Sequence, residues 1–187
     1  MITVKQRQFY LKELGFYKGE IDGVEGKSTK AAYKKLQSKY FTRAKDITGE
    51  YNTATDILLV NARRVQFRTK NFRLEEFKCG CKGRYCTGYP TYINRQLLEN
   101  LQTLREYYKK SISVSSGLRC NGYNDSLVGS IKHSKHTQGK AVDIYGSMTD
   151  TKQERTQLKQ KWYKLPKANY TYSDTPNMGT SVHIDVK

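Results

Sequence analysis

The stretch HSKHTQGKAVDIY, residues 133–145, joins two histidines to an alternating run that is typical of a β-strand. Successive side chains of a strand point to opposite faces, so Asp143 lies on one face and Val142 and Ile144 lie on the other. The stretch SVHIDVK, residues 181–187, alternates in the same way. Both stretches therefore predict strands with a polar front and an apolar back, which belong in one sheet that packs against a helix.

The polar fronts of these two strands carry groups that bind metals. If the strands pair, Asp143 and His183 lie side by side, and His136 on the preceding loop can fold over them. Two imidazoles and one carboxylate leave an open coordination position, as a hydrolytic zinc site requires. Zinc in such a site lowers the pKa of a bound water to about 7, which makes the water a nucleophile at neutral pH. The pattern predicts one zinc ion per chain here, against the alternative that both histidines are ordinary polar residues.

A long amphipathic helix is predicted to cover the apolar back of the sheet. The stretch YINRQLLENLQTLREYY, residues 92–108, has apolar residues at helical spacing, and these are Ile93, Leu97, Leu101, Leu104 and Tyr108. The alternating stretch SISVSS, residues 111–116, indicates a further strand. We therefore expect an α+β domain with a short antiparallel sheet over residues 71–187.

The N-terminal part of the chain predicts a small helical domain. Apolar spacing indicates a helix over residues 4–14 that stops at Gly15, and a second helix over residues 29–40 follows a glycine-rich loop. The stretch DITGEYNTATDILL, residues 46–59, repeats the order of Asp, Gly, Thr and apolar helix. We expect a three-helix domain over residues 1–65, and we interpret VNARRVQFRTKN, residues 60–71, as a linker.

This N-terminal region resembles the type 1 peptidoglycan-binding domain. The matching residues are Gln8, Leu11, Leu14, Gly15, Tyr17, Gly19, Ile21, Asp22, Gly23, Gly26, Thr29, Ala32 and Gln37. The second loop departs from the family pattern, because Ile47 and Thr48 follow Asp46 where the family has a glycine. The resemblance implies a wall-binding module, and a generic three-helix packing module is the alternative. Tyr17 and Tyr33 are either stacking platforms for a ligand or core aromatics.

The second domain resembles a family of zinc-dependent peptidases that includes D-Ala-D-Ala carboxypeptidases and phage L-alanyl-D-glutamate endopeptidases. The residues that carry the resemblance are Ser134, His136, Gly139, Ala141, Asp143, His183 and Asp185, together with Ser116, Gly117, Arg119 and Asn124. The resemblance implies that His136, Asp143 and His183 are the zinc ligands. It also implies that Arg119 binds the substrate carboxylate or the oxyanion of the tetrahedral intermediate.

The general base is not decided by the pattern. Several branches of this family have Glu or Asp three residues before the last histidine, where this chain has Thr180. Asp185 is our substitute, because it lies on the same strand face as His183 and can either accept a proton or orient the imidazole. His133 is expected at the rim of the site, where it could act in proton transfer or bind the transition state.

The four cysteines, Cys79, Cys81, Cys86 and Cys120, form a separate group. Their spacing is unusual for a four-thiolate zinc site, which normally has two CxxC-like pairs. We therefore expect reduced thiols or a disulfide formed after release into an oxidising medium, with a structural zinc as the remaining alternative. Because Cys120 follows Arg119, the group is expected to brace the substrate-binding segment.

The charge of the chain indicates a polyanionic partner. The net charge is +17, and residues 1–70 carry 15 Lys or Arg against 7 Asp or Glu, so the excess is not confined to a tail. No helix-turn-helix, zinc-finger or RNA-binding signature accompanies it, so we expect no specific nucleic-acid partner. The N-terminal stretch lacks the apolar region of a signal peptide, and no run is long enough to span a bilayer. We expect a monomer without membrane insertion, made in a host cytoplasm.

Together, these patterns predict a peptidoglycan hydrolase that uses Zn²⁺ to cleave amide bonds of the stem peptide. Bacterial peptidoglycan is the expected partner, and a phage endolysin is the expected setting. A bacterial D-Ala-D-Ala carboxypeptidase or autolysin is one alternative. A non-catalytic wall-binding protein is the other, and loss of lytic activity on chelation would distinguish it.

Overall fold

The computed structural model describes residues 2–86 and 92–187, which form two compact units that divide between Gln66 and Phe67. The described residues combine α-helices with one four-stranded antiparallel sheet, so the predicted α+β class is confirmed. None of the helices in these two ranges has the length and apolar character needed to cross a membrane.

The first unit contains three helices, α1 (Val4–Glu13), α2 (Lys27–Tyr40) and α3 (Thr53–Gln66). The Thr3 side chain caps the start of α1, and the helix ends just before Gly15, as the sequence predicts. The helices enclose a core of apolar residues: Ile2, Tyr10, Leu11, Tyr17, Ala32, Tyr33, Leu36, Leu59 and Ala62.

Two glutamines hold the two interhelical loops of this unit in the same way. The Gln8 side-chain oxygen accepts a hydrogen bond from the Gly23 amide at 2.8 Å, and its nitrogen donates to a buried threonine hydroxyl. Gln37 makes the equivalent pair of bonds, with the Gly49 amide at 2.8 Å and a second buried threonine. Gly23 and Gly49 also share a left-handed backbone, with φ of +84° and +76°. The repeat predicted over residues 46–59 is therefore confirmed, and Gly49 takes the place of Gly23 in the second loop.

One sequence interpretation is wrong in this unit. The proposed linker over residues 60–71 begins too early, because α3 continues to Gln66. Arg63 belongs to this helix, and its guanidinium is buried over the Tyr10 ring at 3.4 Å. Of the two alternatives left open for Tyr17 and Tyr33, the structure supports core aromatics, because both side chains are buried in the core.

The sheet of the second unit contains β1 (Ser113–Ser116), β2 (Ala141–Tyr145), β3 (Ala168–Ser173) and β4 (Val182–Val186). The strands are antiparallel in the order β1-β2-β4-β3. The three strands predicted from alternation, β1, β2 and β4, are confirmed. β3 was not predicted, and it forms the edge beside β4.

Three helices accompany the sheet, α4 (Arg95–Tyr108), α5 (Asn121–Asp125) and α6 (Lys152–Trp162). Helix α4 is the predicted amphipathic helix, but it is shorter than predicted because the Asn94 side chain caps it by accepting bonds from two backbone amides. Helix α6 was not predicted, since it buries little more than Leu158 and Trp162 and its apolar period is weak.

The apolar face of the sheet packs against α4 and α6 in one continuous core. Burial of apolar side chains is the main favourable term in folding, and here it decides which face of each strand points inward. The buried strand residues are Val142, Ile144, Val182, Ile184 and Val186, and the buried helix residues are Leu97, Leu98, Leu101, Leu104, Leu158 and Trp162. The opposite face of the sheet is left to the polar residues of β2 and β4.

Candidate metal centre

The register between β2 and β4 brings two of the predicted ligands together. Asp143 lies directly opposite His183, and Ala141 lies opposite Asp185. Directly opposed residues share a face of the sheet, with Cβ atoms about 4.5–5.5 Å apart. Asp143, His183 and Asp185 are all buried although they lie on the polar face. Their polar atoms therefore need hydrogen-bond or charged partners inside the protein.

The loop before β2 places His136 over this pair. Its turn is stabilised by the Ser134 hydroxyl, which accepts a hydrogen bond from the His136 amide at 3.3 Å. The His136 carbonyl accepts a hydrogen bond from the Arg119 amide at 3.1 Å. Gly139 closes the turn with φ of +65°, and a Cβ atom there would lie 2.3 Å from the Tyr92 ring. Only glycine therefore fits this position of the motif.

Three ligand atoms meet at the centre. The distance from His136 Nε2 to His183 Nδ1 is 3.2 Å, and Asp143 Oδ1 lies 2.9 Å from His183 Nδ1 and 3.3 Å from His136 Nε2. Ligands on tetrahedral zinc, with bonds of about 2.1 Å, are separated by roughly 3.4 Å. The three atoms therefore match one triangular face of a zinc coordination tetrahedron and could hold a metal ion.

The remote nitrogens of both imidazoles face hydrogen-bond acceptors, an arrangement that leaves the inner nitrogens able to bind a cation. His136 Nδ1 lies 2.8 Å from the Gly117 carbonyl oxygen, which can only accept, so this nitrogen carries the proton. His183 Nε2 faces the Asp185 carboxylate at 3.4 Å and carries its proton for the same reason. In the neutral rings the inner nitrogens are then lone pairs, and both point at Asp143. Such outer hydrogen bonds are typical of histidines that bind metals.

The pKa shifts of Asp143 and His183 also favour a positive charge at this cluster. Burial raises the pKa of Asp143, but the hydrogen bonds with His136 and His183 outweigh burial and hold this pKa below its usual range. Burial lowers the pKa of His183, but its bonds to Asp143 and Asp185 outweigh burial and raise it. A proton and a metal ion compete for such a cluster, because ligands must be deprotonated to bind a metal.

Arg119 lies at the edge of the centre. Its Nη2 donates to Asp143 Oδ2 at 2.8 Å, which leaves Oδ1 for the other ligands, and its Nε donates to the Ser116 hydroxyl at 2.9 Å. The Arg119 side chain is 16% exposed, compared with 11% for Asp143. The guanidinium therefore orients the Asp143 carboxylate, and the Arg119 side chain remains partly exposed to solvent.

Asp185 is held in a network of its own. Its Oδ1 accepts hydrogen bonds from the Asn169 side chain at 2.8 Å and the Tyr170 amide at 2.9 Å. Burial raises the pKa of Asp185, but the bonds with His183, Tyr170 and Asn169 outweigh burial and lower it. A buried carboxylate with both oxygens engaged and a lowered pKa suits the orientation of His183 better than the acceptance of a proton.

His133 is placed differently from the other predicted site residues. Its side chain is exposed, and its backbone is left-handed with φ of +61°. Its carbonyl accepts a hydrogen bond from Gln138. The three-ligand cluster is built from His136, Asp143 and His183 without it.

Tyr172 is a site residue that the sequence analysis missed. It lies opposite His183 in the β3–β4 register, and its ring stacks on the imidazole with centroids 4.5 Å apart and an interplanar angle of 22°. Burial raises the pKa of Tyr172, and the charge of Asp143 adds to this, so the phenol stays protonated at neutral pH and can donate a hydrogen bond. The alternation of β-formers in NYTYS, residues 169–173, could have revealed this strand.

Two imidazoles and one carboxylate therefore meet beside the polar face of the sheet, and this donor set could hold a single metal ion, as in hydrolytic metal sites. A sequence profile of the Peptidase M15 family matches residues 70–185. The match covers more than half of the chain, so the protein belongs to the Peptidase M15 family. Peptidases of this family are typically zinc-dependent and act on peptidoglycan-type substrates. A comparison with curated protein sequences finds no match.

Proposed function

We propose that this protein is a peptidoglycan hydrolase of the endolysin type, which cleaves amide bonds of the stem peptide with a zinc ion bound by His136, Asp143 and His183. The observation that carries the proposal is the convergence of His136 Nε2, His183 Nδ1 and Asp143 Oδ1, while the remote nitrogens of both rings face the Gly117 carbonyl and the Asp185 carboxylate. Zinc in such a site supplies a Lewis acid and a water that is deprotonated near neutral pH.

The surrounding side chains have separate tasks in this proposal. Asp185 keeps the proton of His183 on Nε2, so that Nδ1 is available as a ligand. Arg119 binds the carboxylate of the substrate or stabilises the negative charge that develops on the scissile carbonyl oxygen. Tyr172 is a protonated donor beside His183 and can contact the same oxygen or the leaving amine.

We further propose that the first unit binds the cell wall and keeps the peptidase near its substrate. Two observations support a binding module here: the dense match to the peptidoglycan-binding pattern, and the two loops held identically by Gln8 and Gln37. Tethering raises the effective substrate concentration without any new contact at the active site. The net charge of +17 suits the anionic polymers of a bacterial wall.

The setting that we propose is a phage endolysin that is made in the host cytoplasm and acts as a monomer on the bacterial wall. A bacterial carboxypeptidase or autolysin would use the same centre, and it would differ in the bond that it cleaves. No specific nucleic-acid partner is part of this proposal.

Digestion of purified peptidoglycan, followed by mass analysis of the released fragments, tests the proposed reaction. We expect fragments that end in a new amine and a new carboxylate within the stem peptide. A chelator should abolish their release, and added Zn²⁺ should restore it. Release of terminal D-alanine alone would support the carboxypeptidase alternative. Binding to the wall without any released product would refute the hydrolase.

Deletion of residues 1–65 should separate binding from catalysis. The two units have separate apolar cores, so the second unit should remain folded. We expect binding to intact walls to weaken by about a hundredfold, within the range that tethering can contribute. Hydrolysis of a soluble stem peptide should change little. Equal losses on walls and on the soluble peptide, with folding shown by circular dichroism, would contradict a tethering role.

A further inference from the structure

The four cysteines of the second unit meet in one place, although they lie on two separate segments. The sulfur atoms of Cys79, Cys81, Cys86 and Cys120 all lie within 4.8 Å of one another. None of the four forms a disulfide. The sulfur atoms of Cys81 and Cys86 are 3.5 Å apart. The spacing in the sequence had favoured reduced thiols or a disulfide, but neither requires four sulfurs to converge on one point.

We propose that Cys79, Cys81, Cys86 and Cys120 bind a second, structural zinc ion, which fastens the segment of residues 78–86 to the segment that carries Arg119. Zinc–sulfur bonds of about 2.3 Å in a tetrahedron place sulfurs roughly 3.8 Å apart, which agrees with the observed cluster. Four thiolates with no open position are the ligand set of a structural rather than a catalytic zinc. This inference is independent of the proposed function.

Burial along the loop supports the proposal. Between Lys78 and Tyr85 only Cys79 and Cys81 are buried, and every other residue is exposed. An irregular segment without apolar anchors gains too little from burial to offset its conformational entropy. A metal ion supplies that missing free energy, because a structural zinc site contributes directly to folding.

The backbone around Cys81 and Cys79 is arranged for thiolates. Lys82 and Gly83 are both left-handed, with φ of +52° and +87°, and they turn the chain directly after Cys81. The Cys120 amide donates to the Cys79 sulfur at 3.3 Å. Such a donor stabilises a negatively charged sulfur and is the kind of outer hydrogen bond expected around a thiolate–zinc site.

The cluster is connected to the candidate active site through a short piece of chain. Cys120 follows Arg119, and the Leu118 amide donates to the Phe77 carbonyl at 2.8 Å. The adjacent Gly117 carbonyl is the acceptor that sets the proton of His136 on Nδ1. A zinc ion at the cysteines therefore positions Arg119 and the Gly117 carbonyl together, without contact with the substrate.

Metal counting and cobalt substitution test this site in the full-length protein, purified under reducing conditions. We expect two zinc ions per chain in the unmodified protein and one in His183→Ala, which lacks only a ligand of the other centre. After exchange with Co²⁺, both proteins should show the intense near-ultraviolet bands of thiolate-to-cobalt charge transfer. These bands arise from sulfur ligands alone, so the histidine-containing centre cannot produce them.

The matched variant is Cys81→Ser, which should lose the thiolate–cobalt bands and one zinc ion while the metal of the histidine centre remains. If this variant fails to fold, the spectrum of the unmodified protein still decides, because it requires no substitution. Absence of charge-transfer bands in the cobalt-loaded protein would overturn the proposal. It would equally be overturned by fewer than four titratable thiols in the denatured, metal-stripped protein, which would mean that the cysteines form disulfides.

Discussion

Replacement of His183 by alanine is expected to lower peptidoglycan hydrolysis by more than about a thousandfold, because it removes one of the three proposed protein ligands of the metal. A metal ion contributes several kcal/mol of transition-state stabilisation, and each 1.36 kcal/mol is a factor of ten in rate. The total zinc content should fall by one ion per chain. Elemental analysis and the rate of fragment release, measured on the same sample, check both expectations.

Asp185→Asn is the matched comparison for this variant. The asparagine keeps the size of the side chain, but an amide nitrogen facing His183 Nε2 would disfavour the tautomer that leaves Nδ1 free for the metal. We expect metal affinity to fall by about 10–100-fold, as for other outer partners of metal-binding histidines. Unchanged affinity together with abolished turnover would identify Asp185 as the general base instead. Undiminished zinc in His183→Ala would refute the assignment of the ligands.

Arg119→Lys is expected to lower turnover by about a hundredfold at saturating zinc. The guanidinium holds Asp143 Oδ2 and the Ser116 hydroxyl with two separate nitrogens, and it still presents an edge to solvent. An ammonium is a point charge that cannot keep this fork. Loss of one donor to a developing oxyanion typically costs about 10²–10³ in kcat. Steady-state kinetics on a soluble stem peptide, at several zinc concentrations, measure the effect.

Ser116→Ala is the control for Arg119, since it removes only the hydroxyl that accepts from Nε. We expect a much smaller loss of rate than for Arg119→Lys. If excess zinc restores the full rate of Arg119→Lys, the arginine acts only by orienting Asp143. If the rate remains low with zinc bound, Arg119 acts on the substrate as well. Normal rate and normal zinc content together would exclude either role.

Alternation in two short stretches was sufficient to predict that Asp143 and His183 lie side by side. The apolar period-two pattern of β2 and β4 determines which side chains enter the core, so the opposite face had to carry Asp143 and His183. A register shift of one residue would have moved every side chain to the wrong face. This is why the pairing of Asp143 with His183 could be predicted before the structure.

Elements with a weak pattern could not be predicted in the same way. Helix α6 is polar on most of its surface and is held by Leu158 and Trp162, which contact a core assembled from distant parts of the chain. The end of α3 was interpreted as a linker, although Arg63 in this part of the helix is buried beside Tyr10 and Glu13. In both cases the tertiary environment, rather than local propensity, stabilises the helix.

The sequence by itself determined the α+β class, the strands β1, β2 and β4 and the candidate ligands, because each depends on periodicity or on a motif that is local in the chain. Only the tertiary structure decided which oxygen of Asp143 meets Arg119, where the imidazole protons lie and whether four cysteines converge. These features depend on distances of about 3–5 Å between atoms that are tens of residues apart in the chain. Such distances result from the packing of the whole unit, and no local pattern encodes them.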